Sequence, residues 1–220
     1  WIYSGGRTTG TFYADQVTFS EVIDEPSQIP ENSSFELPLE NGEIPGWSML
    51  PDPLQAGTAI TLTNERAYSG EYSVKFDDES PTAPLALVSS SIPIEAGKTY
   101  FASAQVYITT GLPIVYIKFF NASNKEIGQT SQSTRDPKNQ WVTLTTEGVA
   151  PEGAVTAQVW IYSGGGVTGT FYADHITFHE VIHVPETVPK NASFEKAVVG
   201  SGIPGWTVSP NPLQAGTSLT

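Results

Sequence analysis

Residues 99–109, TYFASAQVYIT, decide the fold class: Tyr100, Ala102, Ala104, Val106 and Ile108 alternate with Phe101, Ser103, Gln105, Tyr107 and Thr109. A strand turns successive side chains to opposite faces, so this period of two predicts an extended segment with one side in a core. The same period recurs along the chain. Tyr72, Val74 and Phe76 alternate with Ser73 and Lys75, and Val155, Ala157, Val159 and Ile161 alternate with Thr156, Gln158, Trp160 and Tyr162. Turn-forming clusters separate these runs, at EAGK (95–98), NASNKE (121–126), RDPKNQ (135–140) and APEGA (150–154). No 3.6-residue pattern persists beyond a turn. Many short strands of this kind predict an all-β chain folded as a two-sheet antiparallel jelly-roll β-sandwich.

The chain also repeats itself. Residues 1–23, WIYSGGRTTGTFYADQVTFSEVI, return at 160–182 as WIYSGGGVTGTFYADHITFHEVI, and the match runs without a gap to residue 220 at an offset of 159, with 36 of 61 positions identical. That period far exceeds the roughly 20–50 residues of stacked solenoid units, so each copy is expected to be a self-contained domain. Pro-bearing stretches mark the borders. The reading is therefore 1–23 as the closing strands of an upstream repeat, 24–31 as a linker, 32–182 as a complete repeat, 183–190 as a second linker and 191–220 as the opening strands of a downstream repeat.

Composition narrows the function. With 23 acidic against 10 basic residues the formal charge is −13, a field that repels phosphate, so neither nucleic acid nor an anionic membrane is expected as a partner. No apolar run approaches the roughly 18 residues of a membrane span, and no basic-then-apolar leader opens the chain, so a soluble chain without membrane insertion is expected. The chain has no Cys, which removes disulfides, thiolate metal sites and Cys nucleophiles. GxSxG, HExxH, P-loop and GxGxxG motifs are missing, and an all-β chain offers no helix for most of them, so no catalytic residue is expected. His175 and His179 lie some 13 Å apart along a strand, too far to share an ion, and a histidine metal site with His183 is discounted.

One carboxylate stands out. In GTFYADHITF (169–178), alternation puts Asp174 on the same side as Tyr172, Ile176 and Phe178, where an unpaired charge would be costly. Near the start of the copy, NSSFE places Glu36 beside Phe35, read as opening a strand. If first and last strands are neighbours, Glu36 and Asp174 converge. With carbonyls from Ser34 and the Tyr68-Ser69-Gly70 turn they would make an oxygen-only site suited to calcium, with Asp15 and Glu195 as equivalents in the partial repeats. The alternative is that Asp174 accepts hydrogen bonds from a turn.

The series NSSFE, IPGW, AYSGEYSVKF, SIPIEAGKTYFASAQVYI and IYSGGGVTGTFYADHITF resembles carbohydrate-binding modules of the family 4/9/22 type, over 32–182. The resemblance implies a two-sheet sandwich, a structural calcium near the joined terminal strands, and, in many members, a glycan on one sheet. Candidate sugar contacts on the non-core side are Tyr107, then Tyr116 and Lys118, then Gln158, Trp160 and Tyr162, with Ser103, Gln105 and Phe120 alongside. Rings stack on the C–H faces of sugars while amide and amine groups bind hydroxyls. The alternative is that these rings cover a sheet edge, pack under a loop or meet a neighbouring domain. Trp47 is expected to plug one end of the core.

The expected role is a non-catalytic, calcium-stabilised structural or adhesive repeat of an extracellular bacterial surface protein or filament. Its expected partners are neighbouring repeats, by end-to-end contact or strand exchange. The other reading is a glycan-binding module that anchors an enzyme or cell to polysaccharide.

Overall fold

The computed structural model describes residues 30–164 and 166–181, together with 11, 13, 14, 194–196 and 203–207. The chain divides into two units, Glu25–Ile182 and a second that joins Trp1–Asp24 with His183–Thr220. Asp15, His183 and most of residues 1–23 lie outside the described residues.

Among the described residues of the first unit eleven strands follow in order: β1 (Trp47–Leu50), β2 (Thr58–Thr63), β3 (Ser73–Asp78), β4 (Leu85–Ser89), β5 (Ile92–Pro93), β6 (Thr99–Ile108), β7 (Pro113–Asn121), β8 (Glu126–Ser133), β9 (Trp141–Val149), β10 (Ala154–Ser163) and β11 (Gly169–Glu180). Among the described residues there is no helix, and so none long and apolar enough to cross a membrane. One layer runs β1-β4-β10-β7-β8, with β5 also on β10, and the other runs β2-β3-β11-β6-β9. All pairings are antiparallel, as the alternating patterns require. The sandwich and its jelly-roll class stand as read from the sequence.

The core lies between the layers. β6 alternates half-buried and buried residues along its whole length, sending Tyr100, Ala102, Ala104, Val106 and Ile108 inward. Phe76 and Phe171 stack with ring centres 4.4 Å apart, and Tyr100 and Phe178 at 5.3 Å. Each such pair adds about 1 kcal/mol to its area burial. Trp47 plugs one end: its ring packs on Phe35 at 5.3 Å, and its Nε1 donates to the Glu31 carbonyl at 2.9 Å.

The period of two breaks at three places. In β11 the pairing with β6 slips by one residue between Asp174 and Thr177, where His175 takes a left-handed φ of 49°. Phe171, Ala173, Ile176 and Phe178 all reach the core, whereas Tyr172 and Asp174 turn to the outer side, so the expected single face of Tyr172, Asp174, Ile176 and Phe178 is split by a β-bulge. At the start of β10 a second irregularity leaves Val155 43% exposed and buries Ala154 instead. In β7 the register against β8 shifts between Phe119 and Phe120, and Phe120, expected outside, is buried. Phe35 does not open a strand either. It sits in a turn at φ 59°, fully buried, with its N–H on the Asn32 carbonyl.

The second unit contributes a short described stretch that copies this end plug. Phe194 has φ 57° and Gly205 φ 88°, against 59° at Phe35 and 80° at Gly46. The Phe194 and Trp206 rings lie 5.2 Å apart, and the Trp206 N–H donates to the Ile203 carbonyl at 3.0 Å, as Trp47 does to Ile44.

Two connections between layers cross at one end. Residues 109–112 join β6 to β7 and residues 164–168 join β10 to β11, and a Cβ added at Gly169 would run into the backbone of Thr110 and Gly111. Only glycine permits that approach. Gly169→Ala is expected to destabilise the fold by about 2 kcal/mol or more, read as a lower denaturation midpoint with unchanged slope.

Candidate functional site

The outer face of the β1-β4-β10-β7-β8 layer is set by register. Trp160 stands opposite Tyr116 on one side and Val88 on the other, Tyr162 opposite Ile114 and Ala86, and Gln158 opposite Lys118. On β8, Ser131 faces Tyr116 and Gln129 faces Lys118. Val88 and Ala86 are buried although they point away from the core, which gives the rings an apolar floor. Tyr116 and Tyr162 meet edge to face at 6.1 Å, and Trp160 Nε1 donates to Gln158 Oε1 at 3.2 Å. Lys118 places its ammonium 4.1 Å from the Trp160 ring centre and pairs with Glu126 at 3.1 Å. Burial, with smaller contributions from Tyr162 and Glu126, pushes the Tyr116 phenol above its usual value, so it stays a neutral donor. Five of the six predicted sugar contacts thus share one half-buried surface with one charge, and that charge is neutralised. Val88, Ala86 and Glu126 were not anticipated, because their parts depend on which strands become neighbours.

Tyr107 is not among these five. It lies on β6 in the other layer, because the outward sides of β6 and of β7 and β10 belong to opposite faces of the sandwich. There it stands opposite Trp141 and Tyr172, with ring centres at 5.7 and 6.1 Å, while Tyr68 meets Trp141 at 5.8 Å. The Arg66 guanidinium lies 4.4 Å from the Tyr107 ring centre. The sequence reading does not single out Trp141 or Arg66, and it takes Tyr68 only as part of a carbonyl-bearing turn: β9 pairs with β6 across two intervening strands, and the 64–72 loop declares no face of its own.

That loop is held by the two predicted carboxylates. Asp174, fully buried, accepts the N–H groups of Tyr68 at 2.7 Å and Ser69 at 2.9 Å on Oδ2 and that of His175 at 2.6 Å on Oδ1. Glu36 accepts the N–H of Glu71 on both oxygens at 3.1 Å and that of Tyr72 at 3.0 Å. Four N–H groups of one five-residue turn therefore face the pair. A Cβ at Gly70 would overlap the Glu36 carboxylate, and φ 66° there also favours glycine. The opening segment reaches β11 through the Ile176 N–H and the Ser33 carbonyl, 2.8 Å apart; Ser34 follows in the same turn. Burial, against the opposing pull of the Ser69, Tyr68 and His175 N–H groups and with added repulsion from Glu36, pushes Asp174 above the usual carboxylate range.

The 68–72 turn, expected to offer carbonyls to an ion, presents N–H groups to both carboxylates instead. Neither carboxylate has a Lys or Arg within ion-pair distance among the described residues, and the Ser69 hydroxyl is buried with no hydrogen-bond partner. The turn offers N–H groups to Asp174, so any ion has to share oxygens already hydrogen-bonded. No third carboxylate or imidazole joins the pair among the described residues. Glu195, the counterpart of Glu36, is exposed.

A family described as "Carbohydrate binding domain" matches residues 28–170, a span that contains Glu36 and the five-residue platform and stops short of Asp174. No curated protein matches the chain. Among solved structures, the enzymatically active domain of tailspike protein 4 of bacteriophage CBA120 aligns at 15% identity over 69% of this chain and 21% of its own, with a TM-score of 0.53. A cyclase from Fischerella sp. TAU aligns at 12% over 69% and 94%, and an arabinose-bound α-L-arabinofuranosidase at 13% over 76% and 28%, both with a TM-score of 0.53. These likenesses are of fold. The aligned part of this chain spans about a fifth of the tailspike domain's length.

Asp174→Ala leaves the Tyr68 and Ser69 N–H groups without their acceptor. It is expected to cost about 3 kcal/mol in chemical denaturation and to speed amide exchange at residues 68–72, with exchange in β7 and β10 changed only as global stability falls.

Proposed function

Because the chain belongs to the carbohydrate-binding domain family, we propose that it is a glycan-binding module whose sugar lies across β10 and β7. The observation that carries this reading is the cross-strand pair Trp160 and Tyr116, flanked by Tyr162 and bordered by Gln158 and Lys118. Ring faces on an apolar floor take up the C–H faces of a sugar, and the Gln158 amide, the phenols and the Ser131 and Gln129 side chains supply partners for hydroxyls. With Lys118 already paired to Glu126, the surface suits a neutral chain. A domain of this family is non-catalytic in itself. The family match favours this role over that of a purely structural stalk.

The structural reading keeps one supporting observation, the recurrence of the Phe35, Gly46 and Trp47 geometry at Phe194, Gly205 and Trp206. In our reading the module is one of several in an extracellular chain, and neighbouring repeats are partners through end contacts or strand exchange. Calcium at Glu36 and Asp174, with the Ser69 hydroxyl, would offset the repulsion of the two carboxylates and stiffen the 68–72 turn.

In affinity electrophoresis through xylan, β-glucan, cellulose or peptidoglycan, at least one polysaccharide is expected to retard the chain. Trp160→Ala is expected to weaken that retardation at least tenfold and Tyr116→Ala to weaken it less. Loss of neither effect on substitution, or no retardation on any of the four, rejects the proposal. Separately, calcium is expected to raise the unfolding midpoint of the chain and to give titration heat that Glu36→Gln removes; equal midpoints with calcium and with chelator reject the ion.

A further inference from the structure

The outer face of the β2-β3-β11-β6-β9 layer carries a second aromatic surface, and its charge pattern is the reverse of the first. Tyr107, Trp141 and Tyr68 form a run of edge-to-face contacts at 5.7 and 5.8 Å, with Tyr172 on the other side of Tyr107 at 6.1 Å. Tyr68 is 48% exposed even though its backbone is pinned by Asp174, so a large ring is held in solvent on a fixed support. Such an arrangement lowers the ordering cost of a ligand that stacks on it.

The polar groups at this surface divide by sign. Three nearby carboxylates are committed. Glu65 accepts the Tyr172 hydroxyl at 2.6 Å and lies 3.7 Å from Lys75, Asp77 lies 3.2 Å from Lys75, and Asp174 is covered by backbone N–H groups. The Arg66 and His175 side chains have no carboxylate partner among the described residues. Arg66 is exposed, lies over the Tyr107 ring and has no carboxylate within ion-pair distance among the described residues, in a chain where acids outnumber bases 23 to 10. His175 is exposed at 5.7 Å from the Tyr68 ring. The Arg66 guanidinium also turns toward the Tyr172 hydroxyl, and a guanidinium has five N–H donors, so donors remain that match a carboxylate in bidentate geometry.

We propose that this face is a second saccharide-binding surface and that its ligand is a carboxylate-bearing sugar, a uronate, whose ring lies on Tyr68 and Trp141 while its carboxylate meets Arg66. It is separate from the neutral platform on the opposite layer, and the two readings stand or fall apart. The net charge of the chain opposes a long polyanion, so a short oligomer is the fair probe. At physiological salt the screening length is about 8 Å, which leaves a direct contact intact while muting the distant acids.

The test is calorimetric titration of the full chain with trigalacturonate, and with galactotriose as its uncharged counterpart, in one calcium-containing buffer. Trigalacturonate is expected to bind, to weaken at least tenfold in Arg66→Gln and in Tyr68→Ala, to weaken in 0.5 M salt, and to bind Trp160→Ala as it binds the unsubstituted chain. Absence of binding overturns the proposal. So does galactotriose binding equally well with the same dependence on Arg66, or loss of trigalacturonate binding in Trp160→Ala instead of Arg66→Gln. Denaturation midpoints of the Arg66 and Tyr68 variants are expected to match the parent's, since both side chains are exposed. A loss of stability, in step with the loss of binding, marks the cluster as a structural clamp and likewise overturns the proposal.

Discussion

A one-residue slip in β11 governs what each face of the sandwich carries. Without it, alternation through GTFYADHITF would have to choose between burying Phe171 with Ala173 and burying Ile176 with Phe178. The left-handed His175 allows both pairs to reach the core, and the same step sends Tyr172 and Asp174 outward. The cost of a non-glycine residue at positive φ, on the order of 1 kcal/mol, is small beside the burial of two further apolar side chains at about 2 kcal/mol each.

Asp174 then needs partners on the outer side, and the 64–72 loop supplies them as backbone N–H groups, with Glu36 holding the far end of the same turn. The loop in turn delivers Tyr68 and Arg66 onto Tyr107 and Trp141. A packing requirement in one strand is thus linked, through a buried carboxylate, to the chemistry of an outer face. The opposite face owes nothing to this chain of contacts. Its rings come from β7 and β10 and are placed by direct cross-strand pairing.

How much of this was legible depends on the range over which a residue's environment is set. β6 and the later part of β10 could be read because a strand buried on one side imposes its period locally. Val155 and Phe120 could not, because a bulge appears only when two strands fail to keep step. Glu36 and Asp174 were paired from the sequence on the premise that chain ends meet. The turn that joins them was named too, but as a donor of carbonyls, and it presents N–H groups.

The amino-acid order by itself determined the all-β class, the 159-residue repeat, the acidic and Cys-free character, and the outward set Tyr116, Lys118, Gln158, Trp160 and Tyr162 of β7 and β10. These follow from periodicity and composition, which are properties of neighbours along the chain. Only the tertiary structure decided that Tyr107 leaves the company of Trp160 and joins Arg66 and Trp141, and that Lys118 is neutralised while Arg66 is not. Sheet order brings together residues far apart in sequence, and the contacts between them carry no imprint in the local pattern of either partner.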